Sequence, residues 1–345
     1  MINKEVKKIK TQIDSLTKHF FDSKIRMTKK DFPNLIPILN QLKKYCLGGK
    51  RLRVILSYYS YLACGGKEKN NFLKLAVSLE LLHNYLLIHD DIVDRDELRR
   101  GQPTLHKYYA RIRNDEHLGL SLAIIGGDFL NALAYENIFS ANIKTKQKEK
   151  IINLINTTLQ QVYYGELEDI ILSSRSHAKE QEILLQYKYK TASYTVTLPV
   201  LFGAVMAGAN QKQIKQLKKF SQKIGLAFQI KDDILDVFSQ EKVIGKNIGT
   251  DIIEKKKTIL MARTLENLDM KEKKYLQGMA GRKQMTAKEI NQVKKLIKKS
   301  GALDYCNNLC QKYLLQSIRQ IDKSNFDIEI NKLIDVANYI VTRDK

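Results

Sequence analysis

The stretch NFLKLAVSLELLHNYLLIH, Asn71 to His89, is apolar around most of a helical circumference, the pattern of a central, buried helix. Residues 118–141, 149–172, 181–208 and 212–237 read the same way, and none alternates with period two for long enough to make a strand. The 345 residues hold only 4 prolines and 17 glycines, too little punctuation for a sandwich or barrel of many short strands. The fold class is therefore all-α. Breaks are short (Gly48-Gly49, Gly65-Gly66, the turn Arg100 to Pro103, the loop 241–251), and no low-complexity linker separates two halves. The chain reads as one domain over 1–345. Residues 1–30 form a peripheral helix, the lysine-rich stretch 265–300 forms surface helices, and 265–345 cover the site.

Fifty-nine Lys and Arg against 37 Asp and Glu leave a net charge of +22, a field that attracts polyanions, anionic lipid or phosphorylated small molecules. Lysine-biased composition on solvated helix faces accounts for most of the excess. No stacking motif of aromatics among Arg and Gly accompanies it, so nucleic acid is not expected, and transient contact with a membrane surface is the remaining macromolecular option. Cys46, Cys64, Cys306 and Cys310 are too few and scattered for a disulfide framework or a zinc site. The N-terminus lacks the apolar core of a signal peptide, and the longest strongly apolar stretch, Leu198 to Ala209, is too short to span a bilayer. A cytoplasmic location is expected.

One internal echo carries chemistry. Asp90-Asp91-Ile92-Val93-Asp94 recurs as Asp232-Asp233-Ile234-Leu235-Asp236, each at the C-terminal end of an apolar helix. On a helix the first and last Asp of DDxxD share a face, with the middle one about 100° away. Acids gathered at a helix C-terminus oppose both the macrodipole and one another, so a cation is needed to remove the cost. Hard oxygen donors without His or Cys suit Mg²⁺, which bridges carboxylates to substrate phosphates. A solubilising helix end explains one such triplet as well as a metal does, but explains two near-identical copies poorly.

The second constellation is basic. Gly48-Gly49-Lys50-Arg51-Leu52-Arg53 puts three cations behind a glycine pair at the start of a helix, where free N–H groups favour an anion. Arg99 and Arg100 follow the first acid cluster; they can meet two different anions, pair with Asp94, Asp96 or Glu97, or do both.

With these residues placed, the chain resembles the trans-isoprenyl diphosphate synthases, or polyprenyl synthetases, from about Gly48 to Arg343. GGKRLR resembles the family's GGKRxRP, with Val54 for proline, and LLHNYLLIHDDIVDRDELRRGQPT resembles its first aspartate-rich region. Gly127-Asp128, Gly165-Glu166 to Asp169 (Glu for the more usual Gln), Lys190-Thr191, Phe228 to Asp236, and Gly245-Lys246 through Asp251 to Lys256 and Thr258 resemble later elements in the same order. The order and spacing together make the resemblance specific.

The resemblance implies an all-α bundle around a deep apolar cavity, of the isoprenoid synthase type and usually a homodimer. It implies head-to-tail prenyl transfer to isopentenyl diphosphate, with several Mg²⁺ ions held by Asp90, Asp94 and Asp232 and supported by Asp91 and Asp236. Lys50, Arg53, His83 and Arg100 would hold isopentenyl diphosphate. Arg99, Lys190, Lys246 and Lys256 would hold the allylic diphosphate, with Thr191 and Gln229 near the developing cation. By residue type alone His83 is a satisfied core histidine, and Lys256 aligns only to within one residue of its neighbours. His89 reads as structural.

Tyr85 lies five residues before Asp90, roughly 7.5 Å down the helix at 1.5 Å per residue. Its ring is large enough to close the cavity there, beside the smaller Leu86. In the resemblance this pattern goes with archaeal-type synthases that stop at geranylgeranyl diphosphate (C20), with farnesyl diphosphate (C15) or longer chains as the alternative; core packing is the other use for Tyr85. A class I terpene cyclase would lack the second DDxxD and GGKRLR, and a non-catalytic regulatory subunit would not need both acid clusters intact.

Overall fold

A computed structural model of the chain describes residues 2–239, 249–282 and 284–343. Long helices dominate, as the periodicity predicts. The contacts group the chain into two compact units: Met1–Ile152 with Phe202–Ala209, and Asn153–Leu201 with Asn210–Lys345. The chain passes between them three times, at 152/153 and 201/202 inside helices and at 209/210 in the short turn before Gln211.

The first unit holds α1 (Ile2–Thr28), α2 (Ile36–Cys46), α3 (Leu52–Ala63), α4 (Lys69–Val93), a hairpin of β1 (Leu98–Arg99) and β2 (Gln102–Pro103), α5 (Leu105–Arg113) and α6 (Glu116–Ser140). The helix α4 is buried on nearly every side, with Leu75, Leu79, Leu81 and Ile88 fully enclosed. Glycines bring α6 close to its neighbours. A Cβ at Gly119 would lie 2.6 Å from the His106 carbonyl, and one at Gly127 would collide with the His89 ring. The helix α1 buries Ile9, Ile13 and Phe21.

Beyond the apolar stretch 198–209, α6 is, among the described residues, long and apolar enough to cross a membrane by length and composition. Its small residues pack inward, whereas Leu118, Ile124 and Ile125 on it stay exposed.

In the second unit α7 (Thr145–Ser174, from Asn153 onward) and α8 (Glu180–Tyr187) lead into a π-helical segment, Lys188–Thr197, and α9 (Leu198–Ala207). Then come α10 (Gln211–Phe238), α11 (Thr250–Ile253), α12 (Ile259–Asn267), α13 (Met270–Gln277), α14 (Ala287–Lys299), α15 (Ala302–Ile318) and α16 (Ile330–Thr342). Phe220, Ile224 and Ala227 of α10 are buried, as are Cys306, Cys310 and Leu314 of α15, so these cysteines are small core residues. Cys310 Sγ lies 3.5 Å from the Ala227 carbonyl. The helix α14 buries Val293, Leu296 and Ile297 and leaves Lys288, Lys295, Lys298 and Lys299 exposed, the surface helix expected there.

The π-helical turn was not legible in the sequence. Glycines on both flanking helices make room for it: a Cβ at Gly165 would collide with the Lys190 backbone, and one at Gly225 with Ala192. Single π-turns inside α-helices concentrate at functional sites, and this one carries Lys190 and Thr191.

Candidate active site

In the first unit Asp90 and Asp91 occupy the last turn of α4 and Asp94 caps it, its N–H donating to the Asp90 carbonyl at 2.8 Å. The helical offset separates their fates. Asp91 turns inward: Tyr45 Oη donates to Oδ2 at 2.8 Å and Arg99 Nε donates to Oδ1. Burial outweighs both partners and pushes the Asp91 carboxyl up to about 6. Asp90 keeps 30% of its side chain exposed, and Asp94 is half-buried. Arg99 also meets Asp96 at 3.2 Å and Asp90 at 3.5 Å, so it ties the acid cluster together.

The basic turn divides in the same manner. Arg51 caps α3 in the left-handed region (φ 56°), an uncommon backbone state for a side chain of this size. It is buried, with Nε on Asp14 at 2.8 Å, Nη1 on Glu80 and Nη2 on the Cys46 carbonyl at 2.9 Å. Arg51 is thus a structural ion, and Arg53 is the one that turns to His83, Nη1 to Nε2 at 3.1 Å. Arg100, also left-handed (φ 53°), lays its guanidinium on Gly49, where a Cβ would sit 3.3 Å from Arg100 Cζ. Lys50 is exposed at this turn. Burial, then Arg53, Arg100, Arg99 and Arg51, hold His83 well below its ordinary range. Arg53 donates to Nε2, so the neutral imidazole carries its own proton on Nδ1 and orients the guanidinium without adding charge. The structure therefore brings together Gly49, Arg53, His83 and Arg100.

In the second unit α10 carries Gln229, Asp232, Asp233 and Asp236. Asp233 is the inward member, accepting from Tyr187 Oη and from Gln229 Nε2 at 2.8 Å. Burial, with Asp251 nearby, raises its carboxyl well above the ordinary range. Asp232 keeps 45% of its side chain exposed and pairs with Arg343, whose guanidinium lies 4.2 Å from the Phe228 ring centre. Asp236 accepts from Thr250 Oγ1 at 2.8 Å. Thr191 Oγ1 donates to Gln229 Oε1 at 2.6 Å, so the two residues assigned to one role are in contact.

Lys190 Nζ lies 2.7 Å from Asp169 and 3.0 Å from Glu166, and Lys256 Nζ reaches the same Asp169 at 3.4 Å. Lys257 Nζ instead donates to the Lys255 carbonyl at 3.0 Å. Lys246 lies outside the described residues. Tyr85 is buried with its ring edge-on to His89, centroids 4.9 Å apart, and Leu86 is partly exposed. Sequence reasoning missed Tyr45, Tyr187 and Arg343. The two tyrosines carried one signal, since each precedes its aspartate by 46 residues.

Among the described residues no group of three or more His, Cys, Asp and Glu side chains is gathered to hold a metal. Mg²⁺ takes one or two protein carboxylates and completes its shell with water and substrate phosphate. Asp90 and Asp232, each partly exposed beside a buried partner, are suited to that use.

The sequence profile described as polyprenyl synthetase matches residues 36–297. The chain belongs to the polyprenyl synthetase family. It is 36% identical over 303 residues to the geranylgeranyl diphosphate synthase of Sulfolobus acidocaldarius, covering 86% of this chain and 88% of that one. It is also 36% identical over 254 residues to the short chain isoprenyl diphosphate synthase of Methanocaldococcus jannaschii, covering 73% of each. Among solved structures, geranylgeranyl pyrophosphate synthase from Corynebacterium glutamicum, complexed with isoprenyl diphosphate and magnesium, superposes with a TM-score of 0.91 at 26% identity. The match covers 97% of this chain and 99% of that one. Within this polyprenyl synthetase, the described residues quoted for the resemblance fall at the α3 cap, the α4 terminus, α6, α7, the π-turn, the α10 terminus and the segment 251–258.

Proposed function

We propose that this chain is a divalent-metal-dependent prenyltransferase that joins isopentenyl diphosphate head-to-tail to allylic diphosphates, with geranylgeranyl diphosphate (C20) as main product. The observation that carries this reading is the cluster of Arg53, His83 and Arg100 at the Gly49 turn, a concentration of donors suited to a second diphosphate. A terpene cyclase has one diphosphate to bind and no use for it. Relatives named geranylgeranyl diphosphate synthase support the C20 length.

In the reaction the allylic C–O bond breaks, and its electron pair leaves with the diphosphate. The isopentenyl double bond then attacks the allylic carbon, and a proton is lost to restore a double bond. Lys190, Lys256, Arg99 and Lys246 bind the allylic diphosphate; Lys50, Arg53, His83 and Arg100 bind isopentenyl diphosphate. Thr191 Oγ1 and the Gln229 carbonyl lie by the developing cation. Asp90 and Asp94 in the first unit, and Asp232 with Asp236 in the second, would hold Mg²⁺, several ions in all, with Asp91 in support; bound metal supplies Lewis-acid stabilisation of the departing charge.

The exposed face Tyr163, Tyr164, Leu167, Ile170 and Ile171 of α7 supports a homodimer, because helical spacing joins these residues into one apolar surface. A cytoplasmic enzyme that touches membrane only to release a greasy product accords with the exposed lysines of α14. The test is incubation of isopentenyl diphosphate with C5, C10 and C15 allylic primers and Mg²⁺, with products sized after dephosphorylation. A C20 alcohol is expected; cyclised hydrocarbon, or no chain longer than the primer, overturns the reading.

A further inference from the structure

We infer that Glu166 is a specificity-determining residue of the reaction proposed above: by holding Lys190 it weakens the grip on the allylic diphosphate and lets the lengthened chain leave. Two ammonium groups, Lys190 and Lys256, face three carboxylates here. Lys190 meets Glu166 at 3.0 Å and Asp169 at 2.7 Å, and Lys256 meets Asp169 at 3.4 Å and Glu254 at 3.8 Å. The lysine side chains are 15% and 16% exposed, so these pairs are poorly screened by water.

The Glu166–Lys190 pair is also set by backbone. Gly165 lets α7 press on the Lys190 main chain so closely that a Cβ would collide with it. The neighbouring Glu166 is therefore brought against the π-turn by the contact of two helices. A glutamine at this place would be neutral and could donate an N–H toward a phosphate oxygen. A carboxylate only accepts, and it repels the incoming diphosphate. The diphosphate must draw Lys190 away from Glu166, or share it.

In head-to-tail elongation each product is the next allylic substrate, and every one carries the same diphosphate. A group that loosens that end acts at every length, favouring release over the next addition. This role rests on the prenyl-transfer reading, and it is separate from any limit set by Tyr85.

The experiment is titration calorimetry of geranyl diphosphate with Mg²⁺ and without isopentenyl diphosphate, so that no turnover occurs, on wild type, Glu166→Gln and Glu166→Ala. The expected result is roughly 5- to 10-fold tighter binding in Glu166→Gln, as one nearby like charge is removed. In steady state the allylic KM falls in step, the isopentenyl KM stays within about twofold, and products at limiting isopentenyl diphosphate become longer. In a Lys190→Ala background the Glu166→Gln gain shrinks to under about twofold. Binding unchanged or weakened in both Glu166 variants overturns the inference, leaving Glu166 as a brace for Lys190. Absence of any prenyl product from wild type overturns the reaction itself, and this role with it.

Discussion

Tyr187 donates its hydroxyl proton to the buried carboxylate of Asp233, and Tyr45 does the same for Asp91; each tyrosine precedes its aspartate by 46 residues. In both copies of DDxxD the middle aspartate is therefore an anchor. Its bond to a tyrosine fixes the rotation of the helix end, and the first aspartate is left partly exposed. The Tyr187 oxygen also accepts the Ile259 N–H at 3.1 Å, so it joins three segments.

Tyr187→Phe should consequently cost about 2–3 kcal/mol of stability, because it leaves a buried carboxylate and a buried N–H each short of a partner. Urea denaturation of the variant beside wild type checks this. A loss under about 0.5 kcal/mol would mean that water replaces the hydroxyl.

Asp90→Ala and Asp232→Ala should each abolish turnover, and saturating EDTA should do so to wild type. The two variants differ in stability. Asp232→Ala leaves the buried Arg343 guanidinium without its carboxylate and should lose about 1–2 kcal/mol, reduced from a fully buried pair because Asp232 is 45% exposed. Circular dichroism melts alongside activity separate the effects, and turnover that survives EDTA would dismiss the metal.

Lys50→Ala and Arg53→Ala should raise the KM for isopentenyl diphosphate, by about 1.5–3 kcal/mol for each charge-assisted bond lost, and leave the allylic KM nearly unchanged. Gly49→Ala should act in the same direction, since its Cβ needs a left-handed backbone (φ 92°) and crowds Arg100. Equal weakening of both substrates would show that the cluster does not belong to one diphosphate.

Tyr85→Ser should lengthen the product beyond C20. The ring packs on His89, which in turn packs on Gly127, so removing it opens space between α4 and α6. Chromatography of dephosphorylated products decides; an active variant that stops at the wild-type length would place the limit on another helix.

A pair of charges in the α7 face, Leu167→Glu with Ile171→Glu, should convert a dimer to monomer in light scattering after size exclusion. Wild type that is already monomeric would refute the dimer.

The helices and the paired acid motifs were legible because periodicity and a near-repeated five-residue string are local properties of sequence. The three cations of GGKRLR read alike in the sequence, and only packing parts them: Arg53 turns to His83, whereas Arg51 is held by Asp14 and Glu80. Nothing local announces that Arg343, 111 residues from Asp232, supplies its counter-ion. The same holds for Tyr45, whose hydroxyl finds Asp91 only once α2 packs beside α4. The helix over 118–141 was legible as apolar, but Asp128 and Glu136 interrupt the run and hide that its length and mean hydropathy match a membrane span.

The π-helical segment at Lys188–Thr197 carries a surplus of chain, since each such turn takes in more residues than an α-turn would. Removing one residue there would regularise the helix, while the same deletion in α4 or α10 would shear a packed face out of register. Lys190 and Thr191 would meanwhile rotate away from Asp169 and Gln229. Deletion scanning should thus meet, at this one place, variants that gain thermal resistance as they lose their chemistry, a local exchange of durability for activity.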